Sequence, residues 1–517
     1  MENINNFQID KKNDAYQNIL LVKQATEKYI NQKNFNLLIK NYGDLFDCPA
    51  EVLSFKAKQI LSSKFNYRIG KFDINFNFFS AIKDFLIISL LVIVLKAFKQ
   101  KHIQQEKYDI ILDDVEQIRQ LFIFKKLLTK FNKSIIFTKK IFFNNDSELQ
   151  KIKIKFSNFF LLDETNRNIN IIEFLKNNYK ILKESKKNNI NFFIFFKPIL
   201  FSILKYNYFF KKYNARFLIH DRFYKTCPIR NYMFKKNGGE KICLTQIHLV
   251  ESSISLFCDI DVLLSFGKES FSKEKFIKLG GRINEILSIG SIQMESLYHD
   301  EKKIKLPESF DIVFIGVNIT TWTYVSEKMS QNYYKTIEWL KKISIKYPKL
   351  KILIKHHPSW LGDAQETEIT QNSNIKTLIR NNKPSKLDYL INKSLFYKLK
   401  FFIENTFMRN DTSYYKKNES YHFLTQSKIN LSFGSTMIIE GVGNDNPSYF
   451  VDPNLENSSH FSTLKNLDPL RISNFGMLED IIKTNIENSS VDKKLDKKTI
   501  CLESSSVSNR IYNYLTN

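Results

Sequence analysis

Short apolar runs alternate with longer helical stretches along the chain from Tyr108 onward. The first series consists of YDIIL, SIIFTK, ARFLIH, KICLTQ, DVLLSF and EILSIG, which begin at residues 108, 134, 215, 241, 261 and 285. The second series consists of FDIVFIG, LKILIK, LKFFIE, SKINLS and SYFVD, which begin at residues 310, 350, 399, 427 and 448. Strands of this length separated by helices are typical of parallel sheets built by βα crossovers. The two series therefore predict an α/β chain with two Rossmann-like domains.

The region that precedes the first series has mainly the pattern of helix. Its stretch DCPAEVLSFKAKQILSS offers Asp47 as a cap and Pro49 near the first turn, followed by apolar positions at helical spacing. After Gly290, the charged stretch YHDEKKIKLPES contains Pro307 just before a new strand, and we expect the domain boundary there. The predicted units are a helical N-terminal extension (1–105), a first Rossmann-like domain (106–298), a second one (299–485) and a polar C-terminal tail (486–517).

Two segments are apolar enough to raise the question of a membrane. Phe85 to Leu95 is the most apolar run, but only eleven residues separate Asp84 from Lys96, whereas a bilayer span needs roughly 20. A buried helix or strand, an interfacial helix and a true span all stay open for this run. Asn191 to Asn214 mixes aromatic and aliphatic residues with lysines, which suits either an interfacial helix or a core helix with a solvated lysine face.

The charge and cysteine content of the chain indicate which binding partners and which cellular location to expect. The formal charge is +25, from 78 Lys+Arg and 53 Asp+Glu, in a chain of 517 residues. The lysines are scattered among Asn and Phe, as an AT-biased genome would encode them, so we expect no nucleic acid partner. An anionic membrane surface stays open, because diffuse basic charge beside apolar residues suits lipid head groups. Five cysteines without CxxC spacing and no secretory start predict a reduced, cytoplasmic location.

The ends of the predicted strands carry the candidate chemistry, because ligands of doubly wound sheets bind beyond the carboxyl ends of the strands. In the second series, LKILIK runs into Lys355, His357 and Pro358, and SKINLS runs into FGSTMIIEG. The turn Gly434-Ser435-Thr436 before a helix offers backbone N–H groups and hydroxyls to a phosphate, although such residues are more often simple N-caps. Glu440, one helical turn further on, offers a carboxylate to ribose hydroxyls.

Three successive strands of the first series also end in motifs: TQIH, which contains Gln246 and His248, then DVLLSFG, then SIGS. In this order the motifs resemble the GT-B glycosyltransferases of bacterial surface polysaccharide synthesis, especially capsule-type, polysialyltransferase-like and glycerophosphotransferase-like enzymes. Those enzymes have QHG, D-x-hydrophobic-x-x-x-G and GS strand ends, followed by K-x-H-P and S-S/T…E motifs in the second domain. KHHP and GSTMIIEG are the matching segments here, within residues 108 to 480. The chain departs from the pattern at Leu249, where the family has Gly.

The resemblance implies that the second domain binds the donor nucleotide and that the first binds the acceptor. The implied donor-binding residues are Lys355, His357, Pro358, Gly434, Ser435, Thr436 and Glu440. His357 would pair with the donor phosphate while Pro358 turns the chain away. The alternative for His357 is a buried histidine in the core, and the alternative for Lys355 is a solvent-exposed cation at the strand end. His356 should face the opposite side, since neighbours on a strand alternate.

Glycosyl transfer also needs a general base for the acceptor hydroxyl, which this fold takes from the first domain. The candidates at predicted strand ends are Asp113, Asp114, His220, Asp221 and His248. We favour His220 and Asp221, which end an apolar strand, together with His248 as the catalytic set, although an Asp at such a position is often a helix cap. No His/Cys/Asp cluster indicates a metal, and we expect no metal and no cofactor.

The function predicted from the sequence is transfer of a sugar from a nucleotide-activated donor, with CMP- or CDP-linked donors favoured, to a cell-surface or capsular polysaccharide. The expected partners are a nucleotide sugar, a glycan or lipid-linked acceptor, and the inner face of the cell membrane. Two alternatives stay open: a GT-B nucleotide-sugar 2-epimerase and a non-catalytic membrane-associated assembly subunit.

Overall fold

A computed structural model describes most of the chain. The described residues are 4–10, 15–66, 69–97, 104–139, 141–142, 147–156, 170–221, 226–246, 256–298, 308–316, 327–356, 363–371, 373–378, 407–408, 419–453, 465–487 and 497–517. Of the sequence-based predictions, those on His248, His357, Pro358 and the strand LKFFIE lie outside these residues.

The first domain is built on a seven-stranded parallel sheet. Its strands are β3 (Glu106–Val115), β4 (Ser134–Thr138), β6 (Lys153–Phe156), β7 (Tyr213–His220), β8 (Lys241–Thr245), β9 (Val262–Ser265) and β10 (Glu285–Ser288). Their order across the sheet is β10-β9-β8-β7-β3-β4-β6. The chain starts in the middle of the sheet at β3 and adds β4 and β6 toward one edge. It then returns to the middle at β7 and adds β8, β9 and β10 toward the other edge, which is the doubly wound pattern.

The second domain repeats this pattern in a six-stranded parallel sheet. Its strands are β11 (Ile312–Ile315), β12 (Ile352–Lys355), β13 (Ile375–Leu378), β15 (Ile429–Ser432), β16 (Ser448–Val451) and β17 (Arg471–Ile472). The order is β13-β12-β11-β15-β16-β17, so the winding reverses between β11 and β15. The predicted pair of Rossmann-like domains is confirmed. Two further pairs of two-residue strands complete the described sheets: β1 (Phe65–Asn66) with β2 (Lys71–Phe72), and β5 (Ile141–Phe142) with β14 (Phe407–Met408).

Helices cover both sheets and form the region before β3. The first four helices are α1 (Ala15–Ile30), α2 (Lys33–Phe46), α3 (Ala50–Lys64) and α4 (Phe78–Ala97). The first domain adds α5 (Ile118–Leu128), α6 (Ile171–Asn188), α7 (Phe193–Lys212), α8 (Pro228–Lys236), α9 (Lys273–Lys278) and α10 (Ile292–Tyr298). The second adds α11 (Glu327–Lys346), α12 (Ala364–Thr370), α13 (Glu419–Gln426), α14 (Met437–Gly443) and α15 (Phe475–Glu487), and the chain ends in α16 (Lys497–Ile500) and α17 (Val507–Thr516).

The N-terminal helices share one apolar core with the first domain. Phe35 of α2 packs edge-on against Phe195 of α7, with ring centroids 5.2 Å apart, and Gln59 of α3 donates a hydrogen bond to the carbonyl of Phe257 at 2.7 Å. The helical region before β3 is therefore packed onto the first domain.

The aromatic helix α7 is a core element. Phe195, Phe196 and Ile199 are fully buried in the same core as the N-terminal helices. Within the described residues, α7 is the one helix found long and apolar enough to cross a membrane by length and composition, and 56% of that apolar window is buried. Of the two interpretations of Asn191 to Asn214, the structure supports the core helix.

The last residues differ from the predicted polar tail. Helix α17 packs on the first domain, where Val507, Ile511 and Leu515 are buried beside α5. The backbone N–H of Ser508 donates to the carboxylate of Glu295 at 2.9 Å. Apolar residues at i, i+4 and i+8 make one buried helix face, so the chain returns from the second domain and covers the first.

Candidate functional site

The strand order puts a crevice at the switch point of each sheet, where the winding reverses. In the first domain this point lies between β3 and β7, whose carboxyl ends carry Asp113 and His220. In the second it lies between β11 and β15, and β15 leads directly into the turn Gly434-Ser435-Thr436. Two of the candidate bases and the Gly-Ser-Thr motif thus lie at the two positions where doubly wound sheets bind ligands.

The Gly-Ser-Thr turn is shaped by Ser432 at the end of β15. The Ser432 hydroxyl donates to the carbonyl of Ile315 on β11 at 2.7 Å, and its oxygen accepts from the backbone N–H groups of Gly434 and Ser435 at 3.4 and 3.1 Å. The Ser435 hydroxyl in turn accepts from the Met437 N–H at 3.3 Å. Because these three N–H groups already have acceptors within the protein, the side-chain hydroxyls of Ser435 and Thr436 are the candidate groups for binding a phosphate.

Glu440 lies on α14, one helical turn beyond Thr436, and is buried between the domains. Its Oε1 accepts from the hydroxyl of Ser291 in the first domain at 2.5 Å, and its Oε2 accepts from the hydroxyl of Tyr421 at 2.9 Å. Burial raises the pKa of the Glu440 carboxyl to about 7, although these two hydrogen bonds oppose the shift. The Tyr421 hydroxyl lies 2.6 Å from Oε1 of Gln293, so it bridges both sides of the interface.

Two glycines of the first-domain motifs allow the returning C-terminal segment to approach. Gly290, in SIGS, has φ +90°, and a Cβ there would lie 2.7 Å from the carbonyl oxygen of Leu502. A Cβ on Gly267, in DVLLSFG, would lie 2.5 Å from the Ile500 carbonyl. Any larger residue would clash with backbone at both positions. These motif glycines therefore serve the packing between the first domain and the end of the chain.

The end of β12 is more buried than the sequence predicts. Lys355 is 3% exposed, so the solvated alternative for this cation is wrong, and its Nζ donates to the carbonyl of His356 at 3.3 Å. The His356 ring points into the domain, with Nε2 2.6 Å from the carboxylate of the equally buried Glu366.

At the switch point of the first sheet, Arg230 organises the candidate acid–base residues. Its Nη1 donates to Asp113 at 2.6 Å, and its Nη2 lies 2.7 Å from Nε2 of His220, with all three side chains buried. A guanidinium can only donate, so His220 accepts through Nε2 and carries its proton on Nδ1. In this arrangement Nε2 cannot also take a proton from an acceptor hydroxyl.

The remaining candidates at this crevice are also held in place. Asp221 accepts a hydrogen bond from the side chain of Gln120. Asp114 has a left-handed backbone, with φ 61°, and pairs with Lys139 at 2.9 Å. A non-glycine residue with a left-handed backbone at a strand end turns the chain sharply, and such residues are often found at functional sites.

Sequence reasoning missed Arg230, Gln120 and Lys139, which hold the candidates, and Ser291 as the partner of Glu440. Arg230 had a usable signal, because it lies close to Ile229, Met233 and Phe234, and an arginine that is buried among apolar residues is almost always paired. The Ser291–Glu440 contact had none, because it depends on how the two domains meet.

No known family model and no curated protein sequence matches this chain. Among solved structures, it is similar to MnaA of S. aureus bound to UDP, with 11% identity, a TM-score of 0.41 and coverage of 79% of this chain and 96% of that chain. A UDP-GlcNAc 2-epimerase from Neisseria meningitidis bound to UDP-GlcNAc gives 11% identity, a TM-score of 0.40 and coverage of 80% and 100%. The wall teichoic acid polymerase TagF gives 10% identity, a TM-score of 0.35 and coverage of 85% and 95%.

Proposed function

We propose that this protein is a metal-independent GT-B glycosyltransferase that moves a sugar from a nucleotide-activated donor, CMP- or CDP-linked, to a cell-surface or capsular polysaccharide. The observation that supports the proposal is the position of the Gly-Ser-Thr turn at the switch point of the second sheet and of candidate acid–base residues at the switch point of the first. The Ser291–Glu440 hydrogen bond between the domains also supports it, because it joins the SIGS motif of the first domain to the GSTMIIEG motif of the second.

In this proposal the donor binds on the second domain. The hydroxyls of Ser435 and Thr436, with His357, interact with the phosphate and offset its growing charge as the bond to the sugar breaks. Glu440 accepts the ribose hydroxyls. Since Ser291 and Tyr421 already donate to this carboxylate, ribose replaces one of them, and donor binding loosens a contact between the domains.

The acceptor hydroxyl loses its proton to a base of the first domain while its oxygen attacks the anomeric carbon, and the nucleotide phosphate leaves with the bonding electrons. His220 accepts from Arg230 at Nε2, so we propose Asp221 and His248 as the bases. Arg230 and Gln120 are positioning residues, because they hold His220 and Asp221 respectively.

The test is turnover of CMP-, CDP- and UDP-linked sugars with and without a polysaccharide acceptor. A transferase releases nucleotide only when the acceptor is present, whereas a 2-epimerase changes the sugar configuration without an acceptor. A non-catalytic assembly subunit does neither. Epimerisation without an acceptor, or no reaction with any of the nucleotide sugars, would refute the proposal.

The base assignment is tested by Asp221→Asn. We expect turnover to fall by about 10² to 10⁴, the usual effect of removing a general base. The matched control is Asp109→Asn at the opposite end of the same sheet, where Asp109 accepts from the backbone N–H of Lys133. Equal activity of Asp221→Asn and Asp109→Asn would exclude Asp221 as the base.

A further inference from the structure

Helix α4 has one buried face and one exposed apolar face. Ala81, Ile88 and Val92 are buried against the first domain. The opposite face carries large exposed side chains spaced seven, four and three residues apart: Phe79, Leu86, Leu90 and Ile93. At 3.6 residues per turn these positions share one side of the helix, and Phe79 is 83% exposed and Leu90 62% exposed. This set is called the α4 apolar face below.

The α4 apolar face is the main concentration of exposed apolar surface in the described part of the chain. In that part of the chain, thirteen large hydrophobic side chains are exposed. Six of the thirteen lie on α4: the four of the α4 apolar face, Phe78 and Val94. Scattered exposed leucines are ordinary, but a contiguous apolar patch on a folded protein marks an interaction surface.

The neighbouring helix α6 supplies positive charge beside this face. The N–H of Phe76, just before α4, donates to the carbonyl of Asn189, just after α6, and the side chain of Asn178 contacts Ser89 at mid-helix. The two helices therefore lie antiparallel along their length. One exposed stripe of α6 carries Ile172 and Tyr179 together with three lysines: Lys176, Lys183 and Lys186.

We propose that the α4 apolar face lies in the interface of an anionic lipid bilayer, with the helix in the membrane plane and the α6 lysines on lipid head groups. Apolar side chains that enter the acyl boundary beside lysines are the pattern of an in-plane helix, and a chain with a formal charge of +25 is drawn to an anionic surface.

The structure also argues against the two other membrane interpretations. Helix α7 has its aromatic side chains in the core, so it has no large apolar face to offer. A span through α4 would pull Ala81, Ile88 and Val92 out of that core and break the 2.6 Å ion pair between Asp84 and Lys197. This proposal is independent of the nucleotide site.

The first test is flotation of the full-length protein with vesicles of phosphatidylcholine alone or mixed with phosphatidylserine. We expect the wild type to float with the anionic vesicles and Leu86→Gln/Leu90→Gln to have a partition coefficient lower by about tenfold per leucine. Gln keeps helix propensity close to that of Leu. The matched control is Leu37→Gln/Ile345→Gln, at exposed positions on α2 and α11, which should float like the wild type.

A second pair of variants tests the charge. Lys176→Gln/Lys183→Gln should reduce flotation, whereas Lys133→Gln/Lys349→Gln, at exposed positions elsewhere, should not. Leu90→Trp reports insertion directly, because its fluorescence should shift to the blue on anionic vesicles while that of Leu37→Trp does not.

Four results would overturn the proposal. If the Leu86/Leu90 variant floats as well as the wild type, the α4 apolar face is not the membrane-binding surface. If the wild type floats equally well with neutral vesicles, its binding does not depend on anionic lipid. Wild-type protein that resists alkaline extraction would indicate a span. A wild-type dimer that becomes monomeric in the Leu86/Leu90 variant, without vesicle binding, would assign the face to a second copy of the chain.

Discussion

Glu440 is a buried carboxyl group whose charge state is tied to the contact between the domains. Burial raises its pKa from an ordinary value near 4.5 to about 7 in the folded protein. The folded protein therefore keeps Glu440 neutral below about pH 7, and the stability that this group contributes is lost as pH rises from about 4.5 through about 7. Ser291 and Tyr421 reduce this cost but do not remove it, because desolvation is the largest contribution to the shift.

We predict that wild-type protein loses about 3 kcal/mol of stability from this group between pH 5 and pH 8, by the conversion of 1.36 kcal/mol per pKa unit. Glu440→Gln has no proton to lose, so its stability should fall less over the same interval. Urea unfolding of both proteins at the two pH values checks this. Parallel pH profiles for the two proteins would contradict the assigned shift.

Arg230 and Asp113 form an ion pair in which both side chains have no exposed surface. Removing one partner leaves the other charge buried and uncompensated, so Arg230→Met should lower the free energy of unfolding by about 3 to 5 kcal/mol. Arg230→Met/Asp113→Leu should be less destabilised than Arg230→Met alone, because no buried charge is left.

The control for this pair is Arg216→Met, which removes an exposed pair with Glu240 and should cost at most about 1 kcal/mol. The measurement is urea unfolding of the four proteins. If Arg230→Met costs no more than Arg216→Met, the buried pair is not formed in solution.

Among the elements, sequence patterns predicted the buried strands and the edge strand β10, but they missed the edge strands β6, β13 and β17. SIIFTK and FDIVFIG are continuous apolar runs and became central strands β4 and β11, because a strand covered on both faces must be apolar throughout. KIKF and IKTL, which form the edge strands β6 and β13, carry lysines. An edge strand contacts water along one side and needs no apolar run, so the sequences of β6 and β13 contained no comparable signal.

Helix α17 is the element whose role the sequence least revealed. Its buried residues have helical spacing, but a ten-residue helix at the chain end gives no indication of which domain it covers. We predict that Ile511→Ala lowers the free energy of unfolding by about 2 to 5 kcal/mol, the usual range for a buried Ile→Ala change. Asn513→Ala, on the exposed side of the same helix, is the control.

Hydrogen exchange measured by mass spectrometry locates the effect. Faster exchange in α5 of the first domain, which packs on α17, is expected for Ile511→Ala and not for Asn513→Ala. Exchange that rises only in the second domain would contradict the packing described.

For the whole molecule, sequence predicted the domain folds better than it predicted how the domains meet. The Gly-Ser-Thr turn was recognisable because short polar residues follow a buried strand and begin a helix. The hydrogen bond from Ser291 to Glu440 was not recognisable, since these residues are 149 positions apart along the chain and meet only when both domains are folded. For the same reason, the sequence could not reveal that Gly267 and Gly290 accommodate the C-terminal segment.

The central claim is that a donor nucleotide binds at the switch point of the second domain, on the hydroxyls of Ser435 and Thr436. The most direct test is the thermal shift produced by a cytidine nucleotide in wild type and in Ser435→Ala/Thr436→Val, with Thr367→Val/Ser473→Ala as a control elsewhere in the domain. A ligand present at 100 times its Kd stabilises the folded state by about 2.7 kcal/mol, which raises the midpoint. We predict that the Ser435/Thr436 variant loses most of this shift while its midpoint without ligand falls only slightly and the control keeps the full shift. A large fall without ligand, with the nucleotide shift intact, would show that these residues are helix caps and would contradict the proposed donor site.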